Sequence, residues 1–351
     1  LSPGGGGIYS KKCTEAIERK INCSVVSSCY DTNSRHHVKC PDSIAIGASG
    51  GASLKRFFYL WKGFPKFEGV IYTPTHHGLL GRDNQIVTIL DLIPLRFPSQ
   101  YRFAYYYFKY LLPSIMKKSL AVFTISNSVK YEIAEYYKYP LEKIYVVPCG
   151  VDQEKFCPSA TRRILNKPYL LVIGAASYHK NTHEIFINSD KWKAKYRLKI
   201  IGSPLNGKYR EYLQKVVEKY GLQEAVEFLG YLSDIEMIGL MQDCEALVYP
   251  SLCEGFGMPP LEVMACGRPV IVSDIPVHKE LCGDVPIYIT PGNQQSWGNA
   301  FSRLEDHLFI ADRIAKGLNQ IKPYTWQKSG EILIDTLLHL IPDLAEGVKN
   351  S

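Results

Sequence analysis

Five short apolar runs in the second half of this 351-residue chain set the terms of its fold. Tyr169-Leu-Leu-Val-Ile173 stops at Gly174, Leu198-Lys-Ile-Ile201 at Gly202, and Val226-Glu-Phe-Leu229 at Gly230; Ala246-Leu-Val-Tyr249 and Val270-Ile-Val272 follow. Runs this short, separated by stretches of helical periodicity, are buried strands of a parallel sheet with helices on both faces. Tyr209 to Tyr220 reads as one amphipathic helix. Ser233 and Glu236 form a capping box that opens the next, which explains Asp234 and Glu236 without invoking a metal.

The first half follows the same logic less regularly. Val70 to Tyr72, Gln85 to Leu90, Leu120 to Ile125 and Ile144 to Val147 are strand candidates, with helices over Tyr101 to Ser119 and Asn127 to Tyr139. The length fits two domains, each large enough for its own core. The proline- and glycine-bearing segment Pro148 to Ser159 is the linker candidate. The expected division is residues 1–150 and 151–324, with a last amphipathic helix, in 325–351, crossing back to the first domain.

Charge is uneven. Residues 1–150 carry 19 Lys+Arg against 10 Asp+Glu, while the remainder carries 22 against 24. A basic first half suits an anionic membrane surface or a nucleotide-bearing substrate. No zinc finger, RNP motif or helix-turn-helix pattern supports nucleic acid. The ten cysteines lack metal-ligand spacing, no run of about 18 apolar residues exists, and no signal peptide is read. Reduced thiols and a cytoplasmic protein, peripheral at most to the inner face of the plasma membrane, are expected.

The segment Glu254-Gly-Phe-Gly-Met-Pro-Pro-Leu-Glu262 carries the chemistry. It follows the Ala246 to Tyr249 strand and reads as a glycine turn entering a short helix, with Glu254 in the turn and Glu262 in the first helical turn. Backbone N–H groups at such a helix start suit a phosphate or sugar hydroxyl. Lys180, in the loop after Gly174, is placed to meet a diphosphate as a point charge. In a doubly wound sheet the loops at Gly174, Gly202, Gly230 and Glu254 share the carboxyl edge, where ligands bind.

These residues carry a resemblance. Lys180-Asn181, Phe228-Leu-Gly-Tyr-Leu232, Pro250 to Glu262, Gly267-Arg-Pro-Val-Ile-Val-Ser-Asp274 and His278-Lys-Glu280 together resemble retaining glycosyltransferases of the GT-B fold, family four. Val87 to Pro94, Phe123 to Ser128 and Val146 to Asp152 resemble acceptor-domain motifs of that family. The resemblance implies two Rossmann-like doubly wound domains with an interdomain cleft, an acceptor-binding first domain and a nucleotide-sugar-binding second one. It implies that Glu254 takes donor-sugar hydroxyls, that Gly255, Phe256, Gly257 and Met258 line the sugar and phosphates, and that Glu262 takes the ribose hydroxyls. Tyr231 and Leu232 would flank the base, Gly202, Ser203 and Pro204 would line the nucleotide pocket, and Gly174 and Lys180 would meet the diphosphate. Gly5, Gly6 and Gly7, read as a loop before a helix, would close over the donor.

Two positions depart from the family pattern. Leu90 stands where the family has a histidine before Asp91, and Ala175 stands where it often has an arginine. His76 and His77 are the candidate substitutes for the imidazole, with Asp91 retained; His179 or Arg268 would assist Lys180 with the diphosphate. No Asp-x-Asp occurs, so no metal and no cofactor are expected. The glycine stretches, including Gly47 to Gly51, do not fit a dinucleotide fingerprint, and no pyridoxal lysine of a phosphorylase is identified. Expected partners are a nucleotide-sugar donor, UDP-glucose ahead of GDP-mannose, and a growing, lipid-linked glycan acceptor in surface or exopolysaccharide synthesis. The oligomeric state is not read. A catalytically inactive sugar-nucleotide-binding protein is the alternative from another class.

Overall fold

The computed structural model describes residues 5–21, 23, 25–27, 37–39, 69–161, 167–202, 207–230 and 232–344. Ser43 to Gly51, Ser203, Pro204 and Tyr231 lie outside the described residues. The chain divides into two compact units, residues 1–150 with 326–351 and residues 151–325.

In the first unit, β1 (Val25–Ser27) pairs in parallel with β2 (His37–Lys39). A second parallel sheet runs in the order β3 (Ile71–Thr73), β4 (Gln85–Thr88), β5 (Ala121–Thr124) and β6 (Ile144–Val146). β4 and β5 are buried at every position, as expected for strands covered on both faces. The helices Gly5–Glu18 and Trp326–Leu340 pack together closely: a Cβ added at Gly330 would lie 3.0 Å from that of Ala16. The first and last described helices are thus joined in one unit.

The helix expected over Tyr101 to Ser119 is broken into three pieces. Arg102–Tyr106 passes into a π-turn at Tyr107–Leu111 and then into Leu112–Lys118. Pro113 is the physical reason: it has no N–H for the carbonyl four residues back, and its ring crowds that carbonyl, so the helix widens just before it. Phe108, Leu112, Ile115 and Met116 face inward and join Val87, Ile89 and Val122 in the core.

The second unit holds six parallel strands: β7 (Tyr169–Ile173), β8 (Arg197–Ile201), β9 (Val226–Phe228), β10 (Ala246–Tyr249), β11 (Val270–Ser273) and β12 (Ile287–Ile289). Their order is β12-β11-β10-β7-β8-β9. The chain therefore winds outward from the centre twice, in opposite directions, and β7 and β10 flank the switch point. The core beneath includes fully buried Trp192 and Trp297, whose indole N–H groups donate to Ile185 O and to Glu184 Oε1, each at 2.8 Å. A buried indole needs such a partner.

Candidate functional site

Ligands of open parallel sheets bind at the carboxyl ends of the strands beside the switch point, where neighbouring loops part. The loops after β7 and β10 carry Lys180 and Glu254. Gly174 ends β7 at φ +81° and donates its N–H to Ile201 O at 3.0 Å. Gly202 ends β8 at φ +70°, and a Cβ there would lie 3.5 Å from Gly174 N. Both positions need a left-handed backbone, which glycine adopts without penalty. A short 3₁₀ turn, Tyr178–Lys180, follows, and Asn181, also left-handed at φ 54°, leads into the helix Thr182–Ile187.

Lys180 Nζ donates to Glu254 Oε1 and to the Tyr249 hydroxyl, both at 2.7 Å, and lies 4.9 Å from the Tyr249 ring centre. The backbone ties the two loops as well, since Leu252 N donates to His179 O at 2.7 Å. Burial alone would raise the Glu254 carboxyl, but the Lys180 charge and its hydrogen bond outweigh that and hold it at about 2. Burial would lower Lys180; Glu254 and Tyr249 reverse this and hold the ammonium well above the ordinary lysine value. The pair is a fixed ionic clamp.

Gly257, at φ +88°, precedes the helix Met258–Ala265. Glu262 is therefore the fifth helical residue and not in the first turn as the sequence reading placed it, because the helix begins one residue before the Pro259-Pro260 step. Glu262 is 9% exposed, and no side-chain hydrogen bond or ion pair reaches its carboxylate among the described residues. Burial pushes its pKa up to about 7, with Lys155 lowering it and Asp234 raising it to lesser degrees. A third buried carboxylate of this unit, Glu184, shows what a satisfied one looks like. It accepts from the Asn181 side-chain amide, from Gly292 N at 2.5 Å and from Trp297 Nε1 at 2.8 Å. Glu184 is built into the core. Glu262 has no such set of donors among the described residues.

Other candidates fall as follows. Gly255, Phe256 and Gly257 are buried, Phe256 packing edge-on to Tyr324 at 6.1 Å; Leu232 is half-buried and Met258 opens the helix. His179 is buried and held at about 4, chiefly by desolvation, so it stays neutral and adds no positive charge near a diphosphate. Arg268 lies before β11 and reaches Glu245, before β10, at 3.7 Å. That is the amino end of the sheet, opposite Lys180, so Arg268 cannot assist it.

In the first unit, Gly5, Gly6 and Gly7 form the first turn of a helix and not a loop before it. Close packing explains one of them: a Cβ at Gly6 would meet Leu90 Cδ1 at 3.1 Å. Asp91 Oδ1 accepts from Ile93 N at 3.0 Å, a local turn that opens the short helix Ile93–Arg96. His76 and His77 lie in the loop after β3 with ring centres 4.2 Å apart and planes tilted by 32°. Phe108 lies 4.8 Å from His76, and the Tyr107 hydroxyl donates to His76 O at 2.5 Å. The π-turn thus presents Tyr107 to the histidine loop, a use such turns commonly serve.

Sequence reasoning gave no role to three groups of the second unit. Tyr249 had been absorbed into an apolar strand, yet its hydroxyl holds Lys180. His278 is fully buried, with Nδ1 2.9 Å from Ser273 O, and it packs on Gly257: a Cβ there would be 3.3 Å from the imidazole. Arg210 stacks 3.2 Å over Phe228 with Nε and Nη1 buried and unpartnered. Only Tyr249 left a usable signal, a hydroxyl at the carboxyl end of a buried strand just before the Pro250 turn.

Two parallel α/β units, the second doubly wound with this clamp at its switch point, fit a GT-B glycosyltransferase, and comparison with known proteins agrees. Residues 4–155 match the family model described as Glycosyltransferase Family 4, and residues 158–307 match that described as Glycosyl transferases group 1. The O-antigen chain mannosyltransferase RfbU of Salmonella typhimurium is 34% identical over 74% of this chain and 70% of its own. O-antigen chain mannosyltransferase B of Escherichia coli is 26% identical over 59% and 57%. Sucrose-phosphate synthase of Thermosynechococcus elongatus shares the fold with a TM-score of 0.77, at 16% identity over 97% of this chain and 94% of that one. WaaG, a glycosyltransferase involved in lipopolysaccharide biosynthesis, gives 0.67 at 14% identity over 95% and 97%. This chain belongs to the group 1, family-four glycosyltransferases.

Proposed function

We propose that this enzyme transfers mannose from GDP-mannose, with retention at the anomeric carbon and without a metal ion, to a growing lipid-linked glycan of O-antigen type. The observation that carries the donor site is Glu262: a buried, unpartnered carboxylate on the helix that follows the Lys180–Glu254 clamp. Its chemistry suits two neighbouring ribose hydroxyls, both donors. The sequence resemblance puts UDP-glucose first only on the breadth of the family, and the mannosyltransferase relatives favour GDP-mannose. Metal independence draws support from the lack of Asp-x-Asp.

In this reading residues 151–324 bind the donor and residues 1–150 with 325–351 bind the acceptor. Glu254, ionised throughout, accepts from a sugar hydroxyl. Lys180 turns part of its charge to the diphosphate, aided by N–H groups of Gly257 and Met258 at the helix start. The bond from the anomeric carbon to the phosphate oxygen breaks as a bond to the acceptor oxygen forms on the same face. The leaving phosphate oxygen takes the acceptor's proton. Gly174, Gly202 and Leu232, with Ser203, Pro204 and Tyr231, complete the nucleotide pocket. His76, His77 and Asp91 serve the acceptor side in place of the histidine lost at position 90.

Calorimetric titration with GDP-mannose, GDP, UDP-glucose and UDP tests the donor. Preference for the GDP ligands, with slow release of free mannose in the absence of acceptor, is expected. Tighter UDP binding would overturn the donor, and donor binding without release would leave an inactive binding protein. If His76→Ala and His77→Ala each turn over normally, the histidines have no catalytic role.

A further inference from the structure

We propose that the outward stripe of residues 102–118 is a docking surface for an anionic lipid bilayer. A helix on a protein surface ordinarily carries one apolar face, turned to the core, and a polar face turned to water. This segment departs from that pattern. Its inner face, Phe108, Leu112, Ile115 and Met116, is fully packed. Yet Phe103 is 79% exposed, Tyr106 50% and Tyr110 58%, on the opposite side at helical spacing. The core explains the first set and not the second.

The polar groups of the same stripe choose the partner. Arg102, Lys109, Lys117 and Lys118 are all exposed, and residues 102–118 contain no aspartate or glutamate. The aromatics are arrayed and not scattered: the Tyr106 and Tyr110 rings stack at 6.2 Å, and Lys109 Nζ lies 5.3 Å from both the Tyr105 and Tyr110 ring centres. Amphipathic rings at headgroup depth, with cations alongside to meet lipid phosphates, are what an interfacial helix offers an acidic membrane. No helix among the described residues is long and apolar enough to cross a bilayer, so contact of this kind would be peripheral.

The inner side of the segment gives the contact a consequence. Tyr107 holds the backbone of His76. Docking would fix the histidine loop about one helix diameter, roughly 10 Å, from the headgroups. A lipid-linked acceptor presents its sugar at that depth; this link to the acceptor rests on the function proposed above.

Co-sedimentation with vesicles of phosphatidylcholine, with and without phosphatidylglycerol, tests the surface. The whole chain should bind only the anionic vesicles, and salt should weaken binding. Phe103→Ser with Tyr106→Ser and Tyr110→Ser should lower partitioning about tenfold or more. Lys109→Gln, Lys117→Gln and Lys118→Gln should lower it about fivefold per charge removed. Tyr106→Trp, which preserves the stripe, should shift its emission to the blue on anionic vesicles only. Undiminished binding of the serine variant, or no binding by the unaltered chain, overturns the proposal. A self-association that the serine variant abolishes, with vesicles ignored, would instead assign the face to a second copy. Nucleotide affinity should not change in any of these variants, so failure here is distinct from failure of the donor site.

Discussion

Two glutamates eight residues apart differ more than most pairs of unlike residues. Glu254 sits in the turn after β10, where Lys180 and Tyr249 were already waiting, and it is held at about 2. Glu262 sits inside the next helix, as poorly solvated as its neighbour but with no hydrogen-bonded partner, and it is lifted to about 7. Burial acts on both in the same direction, and the ammonium decides which way the first one goes. The turn is complete without a ligand. The helix position is not, and that asymmetry separates a preformed clamp from a buried carboxyl with no hydrogen-bond donor beside it among the described residues.

The comparison breaks most visibly at Lys180. Lys180→Ala leaves Glu254 buried without its ion, and removing one partner of a buried pair costs about 3–5 kcal/mol. Denaturant unfolding should show a loss of that order. Lys180→Met with Glu254→Gln should recover much of it, while transfer stays lost in both. If Lys180→Ala unfolds like the unaltered protein, the clamp is not a stabilising element.

Next in size is the dependence on pH. A carboxyl raised in the fold keeps its proton where the unfolded chain has lost it. Stability from Glu262 is therefore complete below about 4.5 and falls as pH rises through about 7. The full loss is roughly 3 kcal/mol. Glu254 has the opposite sign: its contribution is present above about 4.5 and is lost as pH falls through about 2. Thermal melts should thus show a decline between pH 5 and 8, flat in Glu262→Gln and retained in Glu254→Gln. Should GDP occupy the carboxylate through its ribose, binding should tighten from pH 6 to 8 with proton release, measurable by calorimetry in two buffers.

How far the sequence disclosed this differs between the two units. In the second, apolar runs ending at Gly174 and Gly202 marked the strands, and the parallel order brought Lys180 to Glu254 without any need for fine geometry. Ser233 and Glu236 formed the expected capping box, a purely local pattern. Non-local facts were not readable. That Arg268 faces Glu245 at the amino end of the sheet follows from register, and that His278 leans on Gly257 follows from packing. The desolvation of Glu262 depends on everything that surrounds it. In the first unit, the π-turn at Tyr107–Leu111 has a cause in Pro113, but a proline within a helix can equally kink or end it, so periodicity alone missed the break.

A smaller effect tests the turn itself. Gly257→Ala puts a side chain at φ +88°, a conformation costing about 1–2 kcal/mol, and brings Cβ to 3.3 Å from His278. Pairing it with His278→Ala relieves the contact and leaves the backbone strain. The double-mutant cycle should therefore show the two changes coupled, by an amount less than the cost of Gly257→Ala alone. Donor affinity should drop in the single variant, since the helix start that offers its N–H groups is displaced.

The smallest expected change bears most directly on why Glu262 sits where it does. Lys155 Nζ and Asp234 Oδ2 pair at 2.7 Å on the surface and pull Glu262 in opposite directions. Both are partly or largely exposed, so water and salt screen what they do. Lys155→Gln should raise the midpoint of the Glu262 decline and Asp234→Asn should lower it, each by tenths of a pH unit. The double variant should return close to the unaltered value. All three shifts should shrink as salt is added, whereas the larger part, set by desolvation, should not. A midpoint near 7 that salt alone could abolish would mean that surface charge, and not burial, sets the behaviour of Glu262.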